Sequence, residues 1–165
     1  MKAISKFLFL FIVILLLTAC GSGDNSRQSL NENNETEKTK GQENKMSNIL
    51  VKLKFANEEV MVRMEDTPVA QDFLSLLPMK FTIEDYAGTE KVSYLPRKLS
   101  TENAPKGIEA KRGDFNYYAP WGNLAIFYED FRFSNGLIKL GTIESGIEKL
   151  ENIRDNFEMV IEKAE

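Results

Sequence analysis

Histidine is absent from this 165-residue chain, and cysteine occurs once, at Cys20. Without histidine, the ordinary forms of zinc sites, Cys-His pairs and Ser-His triads are excluded. A single cysteine also excludes a disulfide bond within the chain. The sequence contains neither a glycine-rich phosphate loop nor a calcium loop of spaced aspartates. It therefore predicts no cofactor and no metal site.

Long apolar runs are also scarce, and the one that stands out is the stretch of eleven residues from Phe7 to Leu17. A membrane-spanning helix needs about 20 apolar residues, so this run is too short to cross a bilayer. Lys2 and Lys6 supply the positive charge that precedes the apolar part of a signal peptide. Residues 1–19 are therefore predicted to be a signal peptide.

The apolar run ends in Leu17-Thr18-Ala19-Cys20-Gly21. This ending resembles the lipobox of bacterial lipoproteins, in which diacylglycerol is attached to the cysteine thiol and the chain is cut just before it. The resemblance implies that Cys20 is the lipid attachment site, and two acyl chains suffice for stable anchoring. We expect a protein held on the extracytoplasmic face of the cell membrane. The alternative is an ordinary signal peptide followed by a chance cysteine.

Large apolar residues are rare in the segment after Cys20. Leu30 is the one large aliphatic residue from Gly21 to Lys45. Such a stretch buries too little apolar surface to offset the entropy lost on ordering. We expect residues 20–45 to be a disordered tether that spaces the domain roughly 25–30 Å from the lipid.

Positive charge is in deficit as well. Removal of residues 1–19 takes away Lys2 and Lys6, which leaves 19 basic and 25 acidic residues and a net charge of −6. This balance argues against nucleic acid as a partner. The remaining residues 46–165 suffice for one hydrophobic core, and we expect a monomeric domain.

The pattern over residues 46–165 predicts mainly β structure. Ile49–Phe55 and Val60–Met64 alternate between apolar and polar residues around a polar turn, which predicts a hairpin. A helix is predicted over Thr67–Pro78, because threonine caps a helix, proline fits its first turn, and a later proline ends it.

The middle of the domain predicts further strands. Lys80–Ile83 and Val92–Leu95 favour strands, whereas Pro96–Lys111 favours a long loop. Aromatic and β-branched runs over Gly113–Ile143, separated by Pro-Trp-Gly-Asn and Ser-Asn-Gly, indicate antiparallel strands with tight turns. Leu124–Tyr128 is apolar on both alternating faces, so it should be covered on both sides. A closed barrel with something packed outside it would do so.

The domain is predicted to end with a helix and a strand. Ser145–Glu148 matches a capping box, and Ile147, Leu150 and Ile153 are spaced for one buried stripe of a helix. Phe157–Ile161 alternates again, which predicts the last strand.

Several segments resemble the cyclophilins. Ile49–Leu76 is similar to their opening, in which two strands lead into a helix through an acidic-x-proline turn, and Leu140–Leu150 is similar to their last strand and helix. Glu90–Pro96, Gly113–Asp114 and Ile126–Tyr128 resemble the small bacterial cyclophilin-like proteins more than true cyclophilins. The resemblance implies a mainly β fold, a closed antiparallel barrel of about eight strands with two capping helices.

The catalytic segments of true cyclophilins, Phe-His-Arg and Phe-Met-x-Gln-Gly-Gly, are missing. The resemblance implies that an isomerase needs an arginine that hydrogen-bonds the prolyl nitrogen and so lowers a barrier of about 18–20 kcal/mol. Arg97, Arg112 and Arg132 are the candidates. Arg97, beside Pro96 in the segment that replaces the catalytic one, is the first choice for a catalytic residue, with a solvated surface arginine as the alternative.

Aromatic residues provide most of the predicted ligand groove. Its residues are predicted to be Tyr94, Arg97, Phe115, Tyr117, Trp121, Phe127 and Tyr128. Most aromatic side chains of this region should pack in the core or at its edges. Trp121 is the best candidate for ligand contact, because its turn offers a large ring little core to enter.

Adjacent acidic residues occur at Glu84 and Asp85 and at Glu129 and Asp130. Neighbours on a strand point to opposite faces, so these pairs are unsuited to shared acid and base chemistry, and turn positions are predicted for them. Asp114 is likewise predicted to cap a turn, with a role as a base as the alternative.

Two functions follow from these observations. The first is a membrane-anchored lipoprotein whose barrel binds an extended peptide or small ligand without catalysis. The second is a peptidyl-prolyl isomerase that assists the folding of exported proteins.

Overall fold

Ten strands and two short helices form within residues 46–164, which are the residues that the computed structural model describes. The predicted signal peptide, Cys20 and the predicted tether lie outside them. The elements are β1 (Met46–Phe55), β2 (Glu58–Glu65), α1 (Pro68–Leu74), β3 (Met79–Tyr86), β4 (Glu90–Tyr94), β5 (Gly107–Ala110), β6 (Asp114–Tyr118), β7 (Asn123–Phe127), β8 (Phe131–Asn135), β9 (Leu137–Ser145), α2 (Glu148–Glu151) and β10 (Phe157–Lys163). No helix in this part of the chain is long and apolar enough to span a membrane.

Eight of the strands close into a barrel in the order β1-β10-β3-β4-β7-β6-β9-β2. Each neighbouring pair is antiparallel. The predicted barrel is therefore confirmed, as are the opening hairpin and the last strand. Alternation explains the closure, because one side chain in two points inward and fills the interior. Val51 and Val62 illustrate this, since they face each other across β1 and β2 and are both fully buried.

Helix α1 begins as the sequence predicts. The backbone N–H of Ala70 donates to the hydroxyl of Thr67 at 3.2 Å, and Pro68 occupies the first turn. The buried ring of Phe73 meets Phe115 of the barrel with ring centroids 5.4 Å apart, so the helix covers one end of the core. The helix ends at Leu74, earlier than the predicted stop at Pro78.

Helix α2 is shorter than predicted, and its capping box is wrong. The residue at the helix N-terminus is Ile147, and no side chain caps the helix there. Ser145 is unavailable as a cap, because it is the last residue of β9 and pairs with Met61 of β2. Leu150 is nevertheless fully buried, so the short helix still covers core residues.

Strand β7 is covered on both faces, as predicted. Leu124 and Ile126 join the main core, whereas Ala125 and Phe127 pack with Ala110 of β5 in a second apolar cluster. The covering element is a two-stranded ribbon of β5 and β8, outside the barrel sheet.

The long loop predicted over Pro96–Lys111 is wrong at its end, where β5 forms. Strand β5 has only four residues, and its partner β8 comes much later in the chain, so local pattern gives little sign of it. Gly107 permits the close approach, because a Cβ there would lie 2.2 Å from the carbonyl oxygen of Ser134.

Candidate functional site

An aromatic-lined groove of about 330 Å³ lies between the outer face of the barrel and strand β8. We call it the aromatic groove. It is lined by Tyr86, Glu90, Val92, Tyr118, Trp121, Asn123, Phe127, Phe131, Arg132, Phe133, Ser134, Asn135 and Leu137. A mainly apolar and aromatic lining with a few polar groups is typical of ligand sites.

The floor of the groove comes from alternation along β4. Lys91 and Ser93 are buried, which places them on the inner side of the barrel wall. Glu90 and Val92 therefore project outward and line the groove. Phe127 of the neighbouring strand β7 is paired with Glu90 and extends the same floor.

Exposed aromatic rings form the rim. Tyr86 is 43% exposed, Trp121 49%, Phe131 37% and Phe133 52%, and all four line the groove. The Trp121 ring packs edge to face against Tyr86, with centroids 5.6 Å apart. Large exposed apolar groups gathered in one place mark binding surfaces more often than scattered ones do.

Strand β8 forms one wall with an edge that is free to pair. All five of its residues, Phe131–Asn135, line the groove, so both alternating faces of the strand border the space. In the described part of the chain, its only strand partner is β5. An unpaired strand edge presents N–H and C=O groups that another extended chain can bind.

Glu90 is the acidic residue of the groove. Burial raises the pKa of its carboxyl group to about 7. Within residues 46–164, this carboxyl group takes part in no hydrogen bond or ion pair. The groove thus holds a polar group whose bonding capacity is unused.

Arg132 is the arginine of the groove. Its guanidinium lies over the Phe131 ring, 5.6 Å from the centroid. Arg97 and Arg112 lie elsewhere. Arg97 donates to the carboxylate of Asp72 at 2.5 and 3.0 Å, and Arg112 donates to the carbonyl of Tyr128 at 2.6 Å.

The other predicted groove residues divide into three groups. Trp121 and Phe127 line the aromatic groove. Tyr94 is 66% exposed on the outer side of β4 but does not line the groove. Phe115 and Tyr117 are fully buried in the barrel core, so the structure corrects their prediction as groove residues.

The burial of Phe115 and Tyr117 follows from their strand. They occupy the inward positions of β6, and the Tyr117 hydroxyl accepts a hydrogen bond from the backbone N–H of Leu99 at 3.1 Å. Their large rings fill space in the barrel core. They are unavailable to a ligand on the outer surface.

Tyr128 is also buried, in a polar network with Asp85, Lys91 and Arg154. Its hydroxyl donates to Asp85 at 2.7 Å, and the ammonium of Lys91 donates to Asp85 at 2.5 Å and to the carbonyl of Ile153. Burial acts to raise the pKa of Asp85, but these hydrogen bonds and the nearby cations outweigh it and lower the pKa. The structure corrects the prediction of Tyr128 as a groove residue.

The predicted turn positions of the acidic residues are partly wrong. Glu84 and Asp85 belong to β3, where Asp85 holds the network just described. Asp114 does cap a turn, since it accepts a hydrogen bond from the backbone N–H of Lys111 at 2.8 Å. It also pairs with Lys139 at 2.7 Å.

A second polar cluster is buried away from the groove. Burial raises the pKa of the Glu65 carboxyl group. The charge of Lys139 acts to lower this pKa, and the charge of Asp114 acts to raise it further. Glu65 Oε2 and both polar side-chain atoms of Asn116 lack hydrogen-bond partners. None of these residues lines the aromatic groove.

Another cavity, of about 450 Å³, is lined by Lys52, Lys54, Leu77, Pro78, Glu162 and Lys163. Its lining is mostly charged, and Lys54 and Glu162 are already paired at 2.5 Å. We therefore take the aromatic groove as the candidate site. Across the described residues, no cluster of three or more His, Cys, Asp or Glu side chains is arranged to hold a metal ion.

Sequence reasoning missed several residues of the groove: Tyr86, Glu90, Tyr118, Phe131 and Phe133. One signal was available, because Phe131 and Phe133 alternate around Arg132 in a short run that is too polar at its ends for a core strand. The position of Glu90 gave no such signal, since it depends on the pairing of β4 with its neighbours.

The profile of a cyclophilin-like family matches residues 53–162. Among solved structures, the chain is similar to the solution structure of a hypothetical protein from Archaeoglobus fulgidus, with a TM-score of 0.54 and 17% sequence identity. That likeness covers 75% of this chain and 99% of the archaeal one, and at this identity it speaks for the fold alone. No curated protein matches this sequence at a significant level.

Proposed function

This chain belongs to the cyclophilin-like family, and from that premise we propose that its barrel binds an extended peptide in the aromatic groove without catalysing a reaction. The observation that carries the proposal is the free edge of β8 beside a row of exposed aromatic rings. A peptide added along that edge gains main-chain hydrogen bonds, and alternate side chains reach the rings.

The dimensions of the groove support a short peptide. The wall is five residues long, which corresponds to about 17 Å of extended chain. The exposed rings of Trp121 and Phe133 offer apolar area at low entropic cost, because aromatic side chains have few rotatable bonds. A peptide of five or six residues fits this surface.

The place of action in this proposal is the outer surface of a cell membrane, where a lipid on Cys20 anchors the chain. The support comes from the sequence alone, from the lipobox-like ending Leu17–Gly21 and the polar segment after it. Cells grown with labelled palmitate should incorporate label into the protein and lose it in Cys20→Ala. Label that stays on Cys20→Ala would contradict the anchor.

The binding proposal is tested with a library of blocked pentapeptides and hexapeptides, with thermal unfolding as the readout. We expect specific members to raise the unfolding temperature, and Trp121→Ala to weaken this shift by roughly tenfold in peptide concentration. Tyr94→Ala is the matched control, since Tyr94 is exposed on the barrel but does not line the groove. A complete library without a hit would contradict peptide binding.

Peptidyl-prolyl isomerisation is the second candidate function, and the position of Arg132 favours it. Of the three candidate arginines, Arg132 is the one that lines the groove, and Phe131 beside it offers an apolar surface to a proline ring. Exchange of a proline tetrapeptide is measured by NMR. Catalysis that Arg132→Ala removes and Arg97→Ala retains would establish this function, whereas a rate equal to that in buffer would leave the binding proposal.

A further inference from the structure

We propose that the aromatic groove selects peptides that carry an organic cation, a lysine or arginine side chain whose charge meets Glu90 among the aromatic rings. The inference rests on the proposed peptide binding and adds the chemical class of the ligand.

The position of Glu90 in the sheet places this residue between aromatic neighbours in the groove. Glu90 lies directly opposite Tyr86 of β3 on one side and Phe127 of β7 on the other, and all three residues line the groove. Directly opposed residues on adjacent strands have Cβ atoms about 4.5–5.5 Å apart. The carboxyl group therefore projects from the floor between two aromatic side chains.

The second step is the absence of a partner for this carboxyl group. In the part of the chain that the structure describes, Glu90 makes no side-chain hydrogen bond or ion pair. Its neighbour Lys91 points into the barrel, where it binds Asp85. Burial of an unpaired carboxylate is costly, so a cation supplied by a ligand would remove part of that cost.

The aromatic rings supply the third step. Lysine and arginine side chains bind favourably over the faces of tryptophan and tyrosine rings, most strongly where water is partly excluded. Tyr86, Tyr118 and Trp121 line the groove and pack edge to face, with Trp121 in contact with both tyrosines. A lysine stem fits such a surface through its methylene groups, and its ammonium reaches the carboxylate.

Arg132 determines where in the groove a cation can bind. Its guanidinium lies over Phe131, so positive charge is already present at the β8 wall. A second cation is disfavoured there by repulsion and favoured beside Glu90 on the barrel floor. The groove thus offers a cation the unpaired carboxyl group on its floor rather than the arginine on its wall.

Binding should also depend on pH. Burial raises the pKa of Glu90 to about 7, so its carboxyl group gains charge as the pH rises through that value. The other titratable or charged groups that line the groove are Tyr86 of β3, Tyr118 of β6 and Arg132 of β8. Glu90 is the one carboxyl-bearing residue among the described residues that line the groove.

The test uses the full chain in dodecyl maltoside micelles and two pools of pentapeptides with blocked ends. The central residue is lysine in one pool and acetyl-lysine in the other, and the remaining positions are randomised in the same way. We expect the lysine pool to bind roughly tenfold more tightly, because acetylation removes the charge and keeps the length. Its advantage should grow from about pH 6 to 8.

Glu90→Gln is the decisive variant, and Glu109→Gln, on the exposed side of β5, is the control for general loss of negative charge. Glu90→Gln should abolish the advantage of the lysine pool and leave acetyl-lysine binding unchanged. Equal binding of both pools to the wild-type chain would overturn the inference while peptide binding stands. Failure of both pools to bind would overturn the proposed function, and the inference with it.

Discussion

Asp85 and Glu90 lie on neighbouring strands of one hairpin, yet their carboxyl groups differ in hydrogen bonding and in the direction of their pKa shifts. Asp85 receives hydrogen bonds from Lys91, Tyr128 and Arg154, and its pKa is lowered. Glu90 has no such partner in the described region, and burial raises its pKa to about 7.

The difference separates two uses of a carboxyl group. A carboxylate whose bonds are all made within the chain fixes the fold, because its removal leaves other buried groups unpaired. A carboxyl group that is half-buried and unpaired adds nothing comparable to stability, so a binding role explains it better. Polar groups with perturbed pKa values and spare bonding capacity in a cleft are candidates for function.

The largest expected effect comes from breaking the Asp85 network. Lys91→Met removes a fully buried cation and leaves Asp85 with a reduced set of donors. We expect the free energy of unfolding to fall by about 3–5 kcal/mol, as is typical when one partner of a buried ion pair is lost. Urea unfolding followed by circular dichroism measures this loss.

Glu90→Gln is the matched control for that experiment, because it replaces the unpaired carboxyl group of the same hairpin of β3 and β4. It should not lower the free energy of unfolding near pH 7, because it removes a charge that the folded chain must otherwise bury unpaired. Equal losses for both variants would remove the distinction between a structural and a recognition carboxyl group.

The barrel and the groove differ in how far the sequence predicts them. Alternation in the opening hairpin and the two apolar faces of Leu124–Tyr128 sufficed for a closed barrel with an outer cover, because strand period and burial are local properties. The sequence did not predict which strands form this cover. Strands β5 and β8 are short and pair over a long sequence separation, so neither pattern is complete in itself.

The same reason explains the misplaced aromatic residues. Phe115 and Tyr117 point into the barrel, whereas the residues next to them in β6 point outward. A shift of one position along a strand therefore moves a side chain from one face to the other. The sequence shows the alternation but does not say which phase faces the interior. Glu90 enters the groove only through its register with Tyr86 and Phe127, which is a tertiary property.

A smaller effect should appear in the pH dependence of stability. The pKa of Glu90 in the folded chain is about 7, above its ordinary value of 4.5. Its contribution is therefore complete below about pH 4.5 and is lost as the pH rises through about 7, where the folded state must hold a buried charge. We expect a loss of about 1–2 kcal/mol relative to Glu90→Gln, after a discount for partial exposure to solvent.

The measurement compares urea unfolding of the wild-type chain and Glu90→Gln at a series of pH values. Asp85 has the opposite sign, because its lowered pKa stabilises the fold above the ordinary aspartate range, but it is common to both proteins and cancels in the difference. Glu109→Gln, which removes an exposed carboxyl group of β5, is the control for the loss of one negative charge. A parallel curve for Glu90→Gln would mean that Glu90 ionises as in water and that the groove is fully hydrated.

The smallest effect on stability is expected at the rim of the groove, where the contrast between fold and recognition can be drawn between two phenylalanines. Phe133 is 52% exposed, whereas Phe115 is fully buried against Phe73. Phe133→Ala should change the free energy of unfolding by about 0.5 kcal/mol or less, and Phe115→Ala should cost about 3–5 kcal/mol. Phe133→Ala should nevertheless weaken peptide binding, because it removes apolar area from the wall that the peptide meets. A loss of stability at Phe133 close to that at Phe115 would instead make the ribbon of β5 and β8 part of the folding core, and its exposed aromatic rings would no longer argue for a ligand.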